Sequence, residues 1–223
     1  MENATPKSSK SKAGYYQKPD DVERRILEAA QKVFIIKGVD ATSMSDIARE
    51  AKISRPSLHY YFRTKDNLFH EVFRGFVFRF MPTLAEIVRG NGTVDEKIRI
   101  FIDKYVELLA RNPLTPHFLL NEIFRDPTNM SRLFLEIEAR YGCISQAIGL
   151  IDEFAKSKKL KNFDARHYCL LLYGQCIAPF MLIPLLENTF FERNSTRFED
   201  YVARVKTNIT RNALLSIGVP DIN

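Results

Sequence analysis

Three cysteines and four histidines, with no glycine-rich phosphate loop, leave this 223-residue chain poor in the groups most catalytic chemistry uses. Cys143, Cys169 and Cys176 make an odd set without paired spacing. On one helix Cys169 and Cys176 would lie two turns apart, roughly 10 Å, too far to bridge. They read as small buried thiols of a reducing cytoplasm, and no apolar signal segment opens the chain. There is no HExxH and no Glu-x-x-His pair of a di-iron bundle. An enzyme reading would use His117 with Glu122, or Asp164 with His167, and ordinary satisfied or solvated side chains account for both pairs. The expectation is no enzyme, no cofactor and no metal. Convincing period-two alternation is also missing, which leaves no sheet to build.

What is present is helical periodicity and enough apolar residues, 45%, to form a core. The expected architecture is all-α, with about nine helices. The formal net charge is +6. Residues 1–68 hold 13 Lys and Arg against 9 Asp and Glu, so +4 of that excess lies in the first third. Such an excess fits phosphate contact and fits ordinary solvated charge equally well.

One stretch, Thr42 to Leu68, has spacing that points to a partner. Ser43 and Asp46 form a capping box that starts a short helix at Met44. Ile47 and Ala48 form its inner face, and Lys52 and Ile53 make a turn. Ser54 caps a second helix that opens with Arg55 and Pro56, where a missing N–H costs nothing. Leu58 points inward and Arg55, Ser57, His59 and Tyr60 outward. An apolar residue, a small Ala, a short turn and two further apolar residues describe a helix-turn-helix, whose second helix enters the major groove of double-stranded DNA.

The run Ile53 to Phe62, followed by Thr64, Lys65 and Leu68 and preceded by Asp46, Ile47, Ala48 and Ala51, resembles the DNA-binding region of the TetR family of transcriptional regulators. The resemblance covers roughly Val22 to His70, under a third of the chain. Two positions depart from the pattern. Lys52 stands where the turn usually carries Gly, and a left-handed backbone there costs about 1 kcal/mol. His59 replaces a Tyr that commonly touches a phosphate, and an imidazole can still donate a hydrogen bond. The resemblance implies phosphate contacts from Thr42, Ser43, His59 and Lys65, and base contacts from Arg55, Pro56, Ser57 and Tyr60. One short recognition helix reads few base pairs, so two copies related by a two-fold axis should read a palindromic operator.

Around this unit the chain divides into a disordered basic tail, 1–19, a helix-turn-helix domain, 20–66, and a helical regulatory domain, 67–223. Lys7, Lys10, Lys12 and Lys18 of the tail either reach DNA as a basic arm or merely solubilise the chain. Asp21 to Lys37 forms a supporting helix closed by Gly38. A fourth helix runs from Lys65 to Phe80 and ends at Pro82. After a loop at Gly90 to Gly92, Val94 to Leu109 forms a long amphipathic helix, and a short one follows from His117 to Phe124. Met130 to Phe154 reads as the longest helical stripe. Tyr168 to Leu186 is apolar enough to span a bilayer or to pack between two subunits. Pro179, Pro184 and the amphipathic helix that follows favour the second, and the resemblance implies a homodimer through the last two long helices.

By topology alone, residues 67–223 resemble the ligand-sensing part of such regulators. Candidate pocket residues are Phe101, Tyr105, Leu108, His117, Phe124, Phe134, Ile137, Tyr141, Tyr173 and Phe180, which favour a mostly apolar or aromatic small-molecule effector, although core packing explains each of them too. Effector binding would move the fourth helix, change the spacing of the two recognition helices and release the operator, with a coupling of about 1–3 kcal/mol. The combined expectation is a cytoplasmic, ligand-responsive repressor. Alternatives are a helical-bundle enzyme and a DNA-binding protein blind to sequence.

Overall fold

Apolar residues at helical spacing, with a stop signal at each end, account for most of the helices in the computed structural model, which describes residues 21–111, 113, 115–186 and 198–220. The expected tail, 1–19, lies outside these residues. Eleven helices are described: α1 (Asp21–Lys37), α2 (Met44–Glu50), α3 (Arg55–Tyr61), α4 (Lys65–Arg89), α5 (Val94–Arg111), α6 (Thr115–Arg125), α7 (Pro127–Tyr141), α8 (Cys143–Ser157), α9 (Ala165–Met181), α10 (Ile183–Leu186) and α11 (Phe198–Ser216). Gly38 ends α1 in the left-handed region, φ +78°, and its N–H donates to the Phe34 carbonyl at 2.9 Å.

Three boundaries differ from the sequence expectation, each for a local reason. Pro82 does not end α4 but lies inside it, on the exposed side. One helical N–H is lost there, while Leu84, Ala85 and Val88 keep the inward face packed and carry the helix to Arg89. The long stripe from Met130 to Phe154 is two helices, because Gly142 takes φ +58° and turns the chain. Glu138 then caps the new start, its carboxylate accepting the Ile144 and Ser145 N–H groups at 3.2 and 3.1 Å. The apolar run after Asp164 likewise splits, at Leu182, into α9 and α10. These breaks turn about nine expected helices into eleven.

Two cores hold the helices. The first joins Ile26, Ala30 and Phe34 of α1, Ile47 of α2, Leu58 of α3 and Leu68 to Phe78 of α4 to Phe118 of α6 and Met130, Leu133 and Ile137 of α7. The second joins Phe80 of α4 to α5, α9 and α11 around Ile102, Val106, Cys176, Phe180, Ala213 and Leu214. Each fully buried large side chain contributes about 1.5–3 kcal/mol. Helix α4 belongs to both cores and so connects them. Helices α9 and α11 run antiparallel: the Tyr168 hydroxyl donates to the Ala213 carbonyl at 3.1 Å, and the Tyr201 hydroxyl to the Pro179 carbonyl at 3.3 Å. No helix among the described residues is long and apolar enough to cross a membrane.

Candidate DNA-reading face and internal cavity

The α2–α3 pair is set by side chains that cap backbone groups within three residues of themselves. The Ser43 hydroxyl accepts from the Asp46 N–H at 3.1 Å while the Asp46 carboxylate accepts from the Ser43 N–H at 3.1 Å. The Ser43 hydroxyl and Lys37 also bond the Asp46 carboxylate, and together these partners hold its pKa well below the usual carboxylate range. Lys52 does take a left-handed backbone, φ +55°. Ser54 caps α3 by accepting from the Ser57 N–H at 3.2 Å. Leu58, 0% exposed, anchors α3 in the first core beside α2. Arg55, Pro56 and Tyr60 are left exposed on the outer side, and Ser57 and His59 half-buried beside them. Tyr60 is 84% exposed, an unusual degree for a tyrosine, and its ring meets Tyr61 edge-on at 5.3 Å.

Three of the expected phosphate contacts already have partners within the protein. Thr42 is buried, 3% exposed, and its hydroxyl donates to the Gly38 carbonyl at 2.6 Å. It shapes the α1–α2 turn and does not present a hydroxyl to a duplex. Lys65 donates from Nζ to the Val39 and Asp40 carbonyls at 2.9 and 3.2 Å, so it ties the start of α4 to that same turn. His59 has both ring nitrogens engaged, one beside the Arg63 carbonyl at 3.2 Å and the other accepting from Arg55 at 3.4 Å. Ser43 is exposed at the start of α2, with its hydroxyl held in the capping box.

A cavity of about 470 Å³ lies where the two cores meet. Phe73 and Phe76 of the first core and Phe80 of the second line it, and it follows α5 from Val94 to Leu109. Five of the expected pocket residues line it: Phe101, Tyr105, Leu108, Phe134 and Tyr173. The other five do not. His117 is exposed and bonds Asn121, and Phe124 is 83% exposed on the outer side of α6. Ile137 and Phe180 are buried in the first and second cores. Tyr141 packs against Phe78, 6.1 Å between ring centroids. The sequence reading missed the α4 wall beyond Phe80, namely Met81, Leu84, Ile87 and Val88, because it ended the helix at Pro82. It also missed the charged lining residues Lys97 and Arg166, which only the spacing of α5 and α9 would have exposed.

Polar chemistry inside the cavity is sparse. Burial, reinforced by Tyr173, raises the Tyr105 phenol well above its ordinary pKa, so it stays a neutral hydroxyl. Burial alone pushes the thiol of Cys169 in the wall up to about 11, and that of Cys176 in the second core to about 12, so neither is a thiolate at neutral pH. Lys97 donates to the Val88 carbonyl at 2.7 Å. Among the described residues no three His, Cys, Asp or Glu side chains gather as a metal site. The pairs an enzyme reading would use are spent elsewhere: Glu122 bonds Arg125 at 2.7 Å, and Asp164 caps α9.

Helix α6 lies between the cavity and the core that supports the reading pair. Thr115, Leu119 and Ile123 line the cavity. Between them Phe118 points the other way, with ring centroids 5.0 Å from Phe69, 5.9 Å from Phe76 and 6.5 Å from Phe34. Arg125, at the end of α6, stands over the Phe69 ring at 4.9 Å and reaches Asp66 in the first turn of α4 at 3.6 Å. Direct contacts therefore run from the cavity wall through α6 to α1 and α4 beneath the reading face.

A model of bacterial regulatory proteins of the tetR family matches residues 26–72, from α1 through the reading pair into α4. Over these residues the chain is similar to the DNA-binding region of the TetR family. It is 27% identical to the Fatty acid metabolism regulator protein of Bacillus subtilis (strain 168) over 86 residues, 39% of this chain and 44% of that protein, so the match spans less than half of that relative. It is 28% identical to the HTH-type transcriptional regulator YdgC of the same organism over 177 residues, 68% of this chain and 91% of that one. The transcriptional regulator FadR from Bacillus subtilis, solved in complex with stearoyl-CoA, superposes with a TM-score of 0.65 at 19% identity, covering 85% of this chain and 96% of that chain. FadR from Bacillus halodurans gives a TM-score of 0.69 at 18% identity, covering 89% and 97%. At these identities the two structures show a shared all-helical fold.

Proposed function

We propose that this protein is a ligand-responsive transcriptional regulator of the cytoplasm that binds a palindromic operator as a homodimer, represses from it, and leaves it when a largely apolar small molecule enters the cavity. The carrying observation is the position of α6, which forms cavity wall on one side and packs on α1 and α4 on the other. Arg55, Pro56, Ser57 and Tyr60 are the base-reading candidates, and Ser43 stands ready for the backbone. In this reading the region up to about residue 66 reads DNA and the remainder senses ligand.

The effector's class follows from the lining. A cavity this apolar, with Lys97 and Arg166 as its charged members, suits a long hydrocarbon chain joined to an anionic group. An acyl thioester of coenzyme A has that chemistry, and the fatty-acid regulators among the relatives support it. Homodimerisation is supported by α9 and α10, where Leu170, Leu171, Leu182 and Leu185 are 65, 51, 52 and 57% exposed in a run without charge. The seven-residue recognition helix also needs a second copy to select a genomic site. Selection of duplexes from a random pool by the purified protein tests the DNA reading. An enriched palindrome is expected; uniform weak binding would leave a DNA-binding protein blind to sequence, and no binding would return attention to the cavity as an active site.

A further inference from the structure

On the basis of that DNA reading, we infer that His59 is a positioning residue for Arg55: it braces the guanidinium stem so that the free fork meets one base pair of the operator, and it does not itself contact phosphate. The two residues sit one turn apart on α3, and Arg55 Nε donates to His59 Nε2 at 3.4 Å. The other ring nitrogen, Nδ1, lies 3.2 Å from the Arg63 carbonyl. A carbonyl only accepts, so Nδ1 carries the hydrogen and Nε2 presents its lone pair to Arg55; the tautomer is assigned from these partners. The imidazole thereby links the first turn of α3 to the backbone that leads into α4.

What matters for recognition is which guanidinium nitrogen is used. A bond through Nε occupies the stem and leaves both terminal nitrogens as a pair of donors, the fork that matches the O6 and N7 acceptors of guanine. An exposed arginine otherwise explores many rotamers, and holding it in advance reduces the ordering needed on binding. A tyrosine at position 59 has no lone pair placed like Nε2 opposite a second ring donor placed like Nδ1–H. The departure at His59 therefore changes the chemistry of the reading face and gives this chain a base preference of its own.

The test compares the unaltered protein, His59→Phe, His59→Gln, Arg55→Ala and the double variant His59→Phe/Arg55→Ala, each against the selected operator and its single-base-pair variants over a range of salt. His59→Phe is expected to lower the preference at one base pair per half-site by roughly tenfold, with the salt slope unchanged. Gln, which offers both an acceptor and a donor, should retain the preference. Adding His59→Phe to Arg55→Ala should cause no further loss at that position, because both act through one group. This last comparison holds even if either single variant is less stable. Equal weakening of all duplexes by His59→Phe, with a shallower salt slope, would make His59 a phosphate contact and overturn the inference, as would an unchanged preference. If the unaltered protein selects no sequence at all, the DNA reading itself falls and takes this inference with it.

Discussion

The reading unit and the cavity are both made by helices, yet they are held by different forces. From Ser43 to Asn67 the chain is fixed by short-range bonds: Ser43 with Asp46, Ser54 with Ser57, Thr64 with the Asn67 N–H at 3.1 Å. The helices around the cavity are capped locally too, at Glu138 and Asp164, but caps do not make the cavity. Its walls come from side chains as far apart in sequence as Phe73 and Tyr173, brought together only when two cores close around α4. A change in the reading unit should therefore have a small and separable effect, whereas one at the junction should have a large effect felt at both sites.

Phe118→Ala presses this contrast hardest. Phe118 is 5% exposed among the rings of α1 and α4, so truncation should lower unfolding stability by about 3–5 kcal/mol and weaken the response of DNA binding to ligand. Denaturant titration reads the first effect, and operator binding with and without ligand the second. A loss under about 1 kcal/mol would mean that the junction is not tightly packed.

Lys65→Ala should cost about 1–2 kcal/mol, because two carbonyls of the α1–α2 turn lose a charged donor. If stability is unchanged while every duplex binds more weakly, Lys65 faces phosphate after all. Ser54→Ala should cost about 1 kcal/mol by removing the α3 cap, with the second core unaffected. Lys52→Gly should stabilise by a few tenths to about 1 kcal/mol, since Gly takes φ +55° without strain but is freer when unfolded. A destabilised Lys52→Gly variant would show that the lysine side chain has a partner worth more than the strain.

Asp46 gives an effect with a definite sign. Its carboxyl pKa is lower folded than unfolded, so its stabilisation is complete above the ordinary carboxylate range and is lost as pH falls through the folded value. Asp46→Asn should be less stable than the unaltered protein near neutral pH and equal to it in strong acid, as followed by circular dichroism. A difference that persists in acid would place the stabilisation elsewhere.

The two regions also differ in how far they can be read from residues alone. Caps, the turn at Lys52 and the buried Leu58 announce themselves within a few positions, so α1 to α3 follow the sequence closely. Pro82 and Gly142 depart from expectation for opposite reasons. A proline reads as a stop, yet on the exposed side of α4 the missing N–H is tolerated, whereas Gly142 breaks a stripe whose apolar spacing is uninterrupted. For the cavity, helical spacing marks inward faces without telling which are filled by neighbours. Phe101 and Tyr105 face the space, while Ile137 and Phe180, equally apolar and equally periodic, are sealed in cores. Thr42, Lys65 and His59 look like polar groups beside the duplex, but the carbonyl groups and the arginine that hold them lie on other turns or are reached only in the fold.

Whether filling the cavity changes DNA affinity through α6 is measured most directly by operator binding across a titration of stearoyl-CoA. The operator affinity of the unaltered protein is expected to fall about 5- to 150-fold as the ligand saturates, in line with a coupling of about 1–3 kcal/mol. Operator affinity that stays constant while the same ligand demonstrably fills the cavity would contradict it.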